Sequence, residues 1–192
     1  MFKIIKIILL TILIVACSSK DISIDKQIII PLPVQESSCN EVIAFADIMF
    51  GEGENQSYNA KLDLARFLYS ESLKYNRTVC DELHSRKPGG ALKYSSVHGS
   101  LEIRKKKNKK YYEEIIKMAE NEIHNIKLTF NHISEYNHYI TLNLAKNNPP
   151  KWFKHYIVSY YISGDHVFAN LDFSIYSDIQ YKDLLLKINN KK

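Results

Sequence analysis

The stretch Glu41-Val42-Ile43-Ala44-Phe45-Ala46-Asp47-Ile48-Met49-Phe50-Gly51-Glu52-Gly53-Glu54 decides how this chain folds. Val42 to Phe50 is apolar nearly all round, with Asp47 as the one interior charge. Its spacing predicts a helix over Glu41 to Phe50 that is enclosed as a central core element. Ser38-Cys39-Asn40-Glu41 fits a capping box, with Ser38 at the cap and Glu41 reaching back towards it. The apolar run stops at Gly51, and Glu52 stands there between two glycines.

Downstream, Tyr58 to Lys74 carries a stripe of Leu62, Ala65, Tyr69 and Leu73, with Leu64 and Leu68 beside it. This predicts a second helix capped by Ser57. A polar stretch then runs to the turn signal Lys87-Pro88-Gly89-Gly90. Ala91 to Val97 reads as a short strand or an irregular wall. Arg104-Lys105-Lys106-Lys107-Asn108-Lys109-Lys110 is the main charge run. It is read as a solvated loop and helix start, with contact to an anionic envelope polymer or lipid surface as the functional alternative. A third helix over about Tyr111 to His124 follows, with Tyr112, Ile116, Ala119 and Ile123 on one face.

The period then changes to two. Leu128, Phe130 and His132 alternate, as do Ile140, Leu142 and Leu144, and later Tyr156, Val158, Tyr160 and Ile162. Pro149-Pro150-Lys151-Trp152 marks a loop. Gly164-Asp165 marks a turn, with His166-Val167-Phe168 opening the return strand. Asp178 to Ile188 predicts a closing helix. The fold class expected is α+β: a helical core first, a small antiparallel sheet in the C-terminal half.

The N-terminus reads as a processing segment. Lys3 and Lys6 precede the apolar run Ile7 to Val15, which is too short to span a bilayer comfortably. The run ends at Ala16-Cys17. Ile14-Val15-Ala16-Cys17 resembles the lipobox of bacterial lipoproteins, in which Cys17 becomes the acylated first residue. The alternatives are an ordinary secretory signal or a short anchor. Ser18 is not the aspartate that marks inner-membrane retention, which points to the outer membrane where a host has one. The expected organisation is a signal peptide over residues 1–16, a tether over 17–37 and one folded domain over 38–192. Loss of residues 1–16 takes Lys3 and Lys6 with it and lowers the net charge from +5 to +3. That mild balance, with no aromatic residues interleaved in the basic run, argues against nucleic acid as a partner. Cys39 and Cys80 flank the first two helices and are either paired, as suits a compartment outside the cytoplasm, or two buried thiols. No metal-ligand spacing and no cofactor motif appears.

Apolar surroundings and the negative end of a helix both disfavour the charged form of a carboxyl group. Glu52 therefore suits a general acid of the kind that cleaves sugar–oxygen bonds. The bland alternative is a solvated residue at a helix end.

From Glu41 to Asn170 the chain resembles the SleB-type cell wall hydrolases. The matching elements, in order, are Gly51-Glu52, Tyr94-Ser95, Phe130-Asn131, Pro150-Lys151-Trp152 and Gly164-Asp165-His166-Val167-Phe168. The resemblance implies a lysozyme-like fold and cleavage of the bond between N-acetylmuramic acid and N-acetylglucosamine in peptidoglycan. Glu52 matches the family's catalytic glutamate. It implies substrate contacts from Tyr94, Ser95, Asn131, Trp152 and His166. Where the family continues Gly-Glu-Ala-Arg-Gly-Glu, this chain has Gly51-Glu52-Gly53-Glu54-Asn55-Gln56, without the arginine. Glu54 is read as a surface charge, with a second acid as the alternative. His166 either lines the cleft or is a core histidine. Asn131 meets an N-acetyl group or satisfies strand-edge backbone. The expected function is glycan-strand cleavage by a membrane-anchored lipoprotein, with peptidoglycan and, through acylated Cys17, the lipid membrane as partners. The rival is a non-catalytic envelope lipoprotein that binds peptidoglycan or a protein. An amidase or peptidase lacks support, since no Cys–His pair stands out.

Overall fold

The computed structural model describes residues 39–87, 93–94, 97, 99–176 and 178–190. The chain divides into two units, Met1–Gln35 and Glu36–Lys192. Cys17, the capping Ser38 and Ser95 lie outside the described residues, and so does most of the Ala91 to Val97 segment. No described helix is long and apolar enough to cross a membrane.

Helix α1 (Glu41–Gly51) forms where the apolar run predicts it. Phe45, Ala46, Ile48, Met49 and Phe50 are fully buried, so α1 is enclosed as its pattern requires. Its cap is Asn40, whose side chain accepts from the Ile43 amide at 3.2 Å. Glu41 pairs with Lys127. Asp47, the interior charge, accepts from the Tyr112 hydroxyl at 2.6 Å and pairs with Lys105 at 2.8 Å.

Helix α2 (Tyr58–Lys74) has the bounds and the Ser57 cap read from sequence. A short helix α3 (Val79–Leu83) follows within the polar stretch. The Cys39–Cys80 disulfide ties α3 to the start of α1. The basic run is helical, not a loop. It makes up α4 (Leu101–Lys107) and, after a break at Asn108, the first turn of α5 (Lys109–Thr129). Ile115, Ala119 and Ile126 of α5 are buried against α1 and α2.

Leu128, Phe130 and His132 do not alternate in a strand. Leu128 ends α5, and Phe130–His132 is a 3-10 turn. The sheet begins only at β1 (His138–Thr141). Leu142 and Leu144 belong to a short helix α6 (Leu142–Asn147), capped by Thr141. A 3-10 turn at Lys151–Lys154 leads into β2 (His155–Ser163). The Gly164-Asp165 turn returns the chain as β3 (His166–Tyr176), and α7 (Asp178–Asn190) closes the fold. The three strands are antiparallel in the order β1-β3-β2. The α+β class is thus as the sequence predicts.

The sheet lies between two layers. Phe168, with Tyr139 beside it in register, packs onto the α1–α2–α5 core. Val167, Ala169 and Leu171 on its other face meet Phe153, Tyr181, Leu184 and Ile188. The alternation expected in β2 is broken by an irregularity between Ile157 and Ser159, which buries Ile157 and leaves Val158 exposed.

A buried carboxylate latches β2 onto α2. Asp63 accepts from Ser163 at 2.6 Å and Tyr161 at 3.2 Å, and pairs with Arg66 at 2.9 Å. His132 Nε2 faces the same carboxylate at 3.1 Å. Every lone pair of a buried carboxylate that finds a donor lowers the cost of taking it out of water.

Candidate active site

Glu52 is the C-cap of α1, with its amide donating to the Ile48 carbonyl at 3.0 Å. It is half-buried and turned towards the sheet. The Tyr139 hydroxyl on β1 faces its carboxylate. Burial, and after it the negative charge of Glu52, hold the Tyr139 hydroxyl well above its ordinary range, so it remains a neutral donor.

His166 opens β3 beside this pair. Its ring lies 5.7 Å from that of Tyr139, and its charge state responds to Glu52. Burial lowers the imidazole's affinity for a proton, against the opposing pull of Glu52 and Asp165. The side chain is 1% exposed, and neither ring nitrogen has a hydrogen-bond partner among the described residues. A buried polar group left unsatisfied is costly, and such groups concentrate at sites of function. The neutral ring offers one donor and one acceptor next to a carboxyl group.

The segment Gly53 to Gln56, where the chain departs from the resembling family, has its own supports. Glu54 is half-buried rather than a free surface charge: it pairs with Arg104 at 3.3 Å and accepts from Asn108 at 2.9 Å. Its carbonyl accepts from Tyr111 at 2.6 Å. The second-acid alternative for Glu54 is not favoured by these ties, since Arg104 of α4 and Asn108 at the break after it take up both carboxylate oxygens. Arg104 also donates to the Gly51 carbonyl at the end of α1, at 3.4 Å. A guanidinium from α4 thus braces this turn. Gln56 clamps the β2–β3 turn. Its Nε2 donates to Asp165 Oδ2 at 3.2 Å and its Oε1 accepts from the Asp165 amide at 2.7 Å. Lys61 in turn donates to the Gln56 carbonyl. The turn that bears Glu52 and the turn that precedes His166 are thus held together by one side-chain amide.

Other residues read from sequence fall elsewhere. Tyr94 is fully buried, so it offers no aromatic face to a sugar. Its ring lies near-parallel to Tyr139 at 6.4 Å, and its hydroxyl donates to Glu82 at 3.3 Å. Lys93, salt-bridged to Glu71 and Glu82 at 2.6 Å each, anchors it. Tyr94 backs the site rather than lining it. Asn131 is exposed on the 3-10 turn, and its carbonyl accepts from Ser134. No hydrogen bond of its side chain reaches Glu52. Trp152 sits in the 3-10 turn after the two prolines, and its side chain lies outside the described residues.

Tyr139 is the residue that sequence reasoning missed. The only available signal was its place one residue before Ile140 in an alternating stretch, which puts it on the sheet face opposite Ile140. Among the described residues, no group of three His, Cys, Asp or Glu side chains is arranged to hold a metal ion. No family model matches this chain, and no curated protein or solved structure is significantly similar to it.

Proposed function

We propose that this chain cleaves peptidoglycan glycan strands as a membrane-anchored lipoprotein of the SleB type, with Glu52 as general acid and base. The observation that carries the reading is the cluster of Glu52, Tyr139 and His166. A half-buried carboxyl group at a helix end meets a neutral hydroxyl donor and a neutral, unpartnered imidazole. The ordered motifs from Gly51 to Phe168 and the lipobox-like Ala16-Cys17 add to it. The disulfide also fits an oxidising compartment.

In this reading Glu52 first gives its proton to the leaving glycosidic oxygen. The carboxylate so formed then takes the proton of the muramic acid 6-hydroxyl, which closes on C1 to an anhydro sugar. In the hydrolytic variant it takes the proton of a water instead. Tyr139 fixes the carboxylate's orientation through both steps. His166 has an acceptor and a donor for a sugar hydroxyl or for the nucleophile.

The test is mass analysis of muropeptides released from purified sacculi. Anhydro products identify a transglycosylase and reducing-end products a muramidase. Glu52→Gln abolishes either. Release undiminished by Glu52→Gln overturns the reading.

A second reading, a non-catalytic envelope lipoprotein, is favoured by one observation. Tyr94 is sealed in the core and Asn131 stands apart, so part of the sugar-contacting set is not assembled around Glu52. Sacculus binding without product, unchanged by Glu52→Gln, would support it.

A further inference from the structure

The basic run divides into two sides. Arg104 and Lys105 turn inward and are taken up by Glu54, Asp47 and Glu102. Lys106, Lys107 and Lys110 are exposed, and no ion pair among the described residues holds any of them. Lys109 is also exposed and meets only the exposed Glu113, at 3.7 Å. Ile103 is 69% exposed and lies one helical turn before Lys106 and Lys107, so it shares their side of α4. The domain thus presents the ammonium groups of Lys106 and Lys107 on the same side of α4 as a bare branched aliphatic side chain, with the exposed Lys109 and Lys110 following just past the break at Asn108.

That combination matches one surface chemistry. Anionic headgroups neutralise the lysines while the acyl boundary just beneath them accepts Ile103. A wall polymer supplies the charge but nothing for the isoleucine. We propose that the stripe of Ile103, Lys106, Lys107, Lys109 and Lys110 docks on an anionic lipid bilayer. The inward side of the same helix grips the Glu52 turn through Arg104. Docking therefore sets the height and facing of Glu52 over the membrane, whatever reaction Glu52 performs.

The test uses the full chain with vesicles of phosphatidylcholine alone or mixed with phosphatidylglycerol. Amine acetylation is read by peptide mass spectrometry. Lys106, Lys107 and Lys110 should label about fivefold more slowly on the anionic vesicles. Lys117 and Lys187 should label alike on both, and high salt should remove the difference. The K106E/K107E/K110E variant should lose the slowing at Lys109. Equal labelling on both vesicles overturns the proposal, as does protection by soluble wall fragments on neutral vesicles. Flotation with neutral vesicles reports the Cys17 anchor separately. If the chain does not float with them, selective flotation with anionic vesicles that is lost on charge reversal supports the stripe, and flotation with neither overturns it.

Discussion

Tyr139 and Glu52 meet across the boundary between the sheet and the helical layer, the hydroxyl of one facing the carboxylate of the other. The ring of Tyr139 is held by Phe67 at 5.3 Å and Phe168 at 5.9 Å. Tyr139→Phe keeps those contacts and removes only the hydroxyl. A hydrogen bond to a charged group contributes about 1.5–3 kcal/mol. Muropeptide release per folded molecule should fall by roughly one to two orders of magnitude, with a thermal midpoint lowered by several degrees. Unchanged release would remove Tyr139 from the site.

The Gln56–Asp165 clamp makes a second prediction. Gln56→Glu sets two carboxylates against each other and should lower both stability and glycan release. Adding Asp165→Asn restores a donor opposite the new carboxylate and should recover most of the loss, a coupling of about 1 kcal/mol in a double-mutant cycle. Gly164→Ala should be worse than either. Its Cβ would meet Gln56 Oε1 at 2.5 Å and the Ala60 Cβ at 2.7 Å, at a φ of +54°. Denaturant midpoints for the parent, the two single variants, the double variant and Gly164→Ala would settle the order.

The disulfide closes a loop with a sequence separation of 41. Loop-closure entropy puts its contribution at about 4 kcal/mol. The Cys39→Ser/Cys80→Ser chain should show that loss in equilibrium unfolding. A loss below about 1 kcal/mol would mean that the packing of α1 on α3 needs no covalent help.

Stability should fall on the acid side. Burial, aided by Lys87, Lys93 and Lys74, lowers the His138 imidazole from its ordinary 6.5 to about 4. His166 is lowered by burial as well. A lowered base is neutral when folded and protonates more readily when unfolded. Its share of stability is therefore complete above about pH 6.5 and is lost as pH falls towards 4. For His138 that share is on the order of 2–3 kcal/mol. Urea midpoints at three pH values across this window test it. His138→Gln should flatten the slope, and midpoints that rise with acid would contradict it.

The parts of the fold set by local rules were readable in the sequence. Ser57 caps α2 where a serine before an apolar stripe should, and Gly164-Asp165 turns where glycine frees φ. The enclosed α1 followed from apolar residues on every side. Errors came where two periods overlap over few residues. Leu128, Phe130 and His132 alternate by accident at a helix end, and Leu142 and Leu144 alternate inside the short α6. At the candidate site, Glu52 was singled out because it stands between two glycines at the end of an apolar run, and His166 because it follows the Gly164-Asp165 turn. Tyr139 was not, because its role comes from a partner far along the chain. Tyr94 was found as an aromatic residue, but its burial depends on Glu82 and Lys93, a buried charge network that no local pattern encodes.

The crosslink at Cys39 also decides how the domain bears mechanical load. Any pull arriving from the N-terminal side reaches Cys39 before it reaches the first turn of α1. There it is divided between the helix and, through the sulfur bridge, α3. The end of α1 that carries Glu52 lies beyond that branch point, so only a share of any load on Cys39 runs through the helix to the carboxylate.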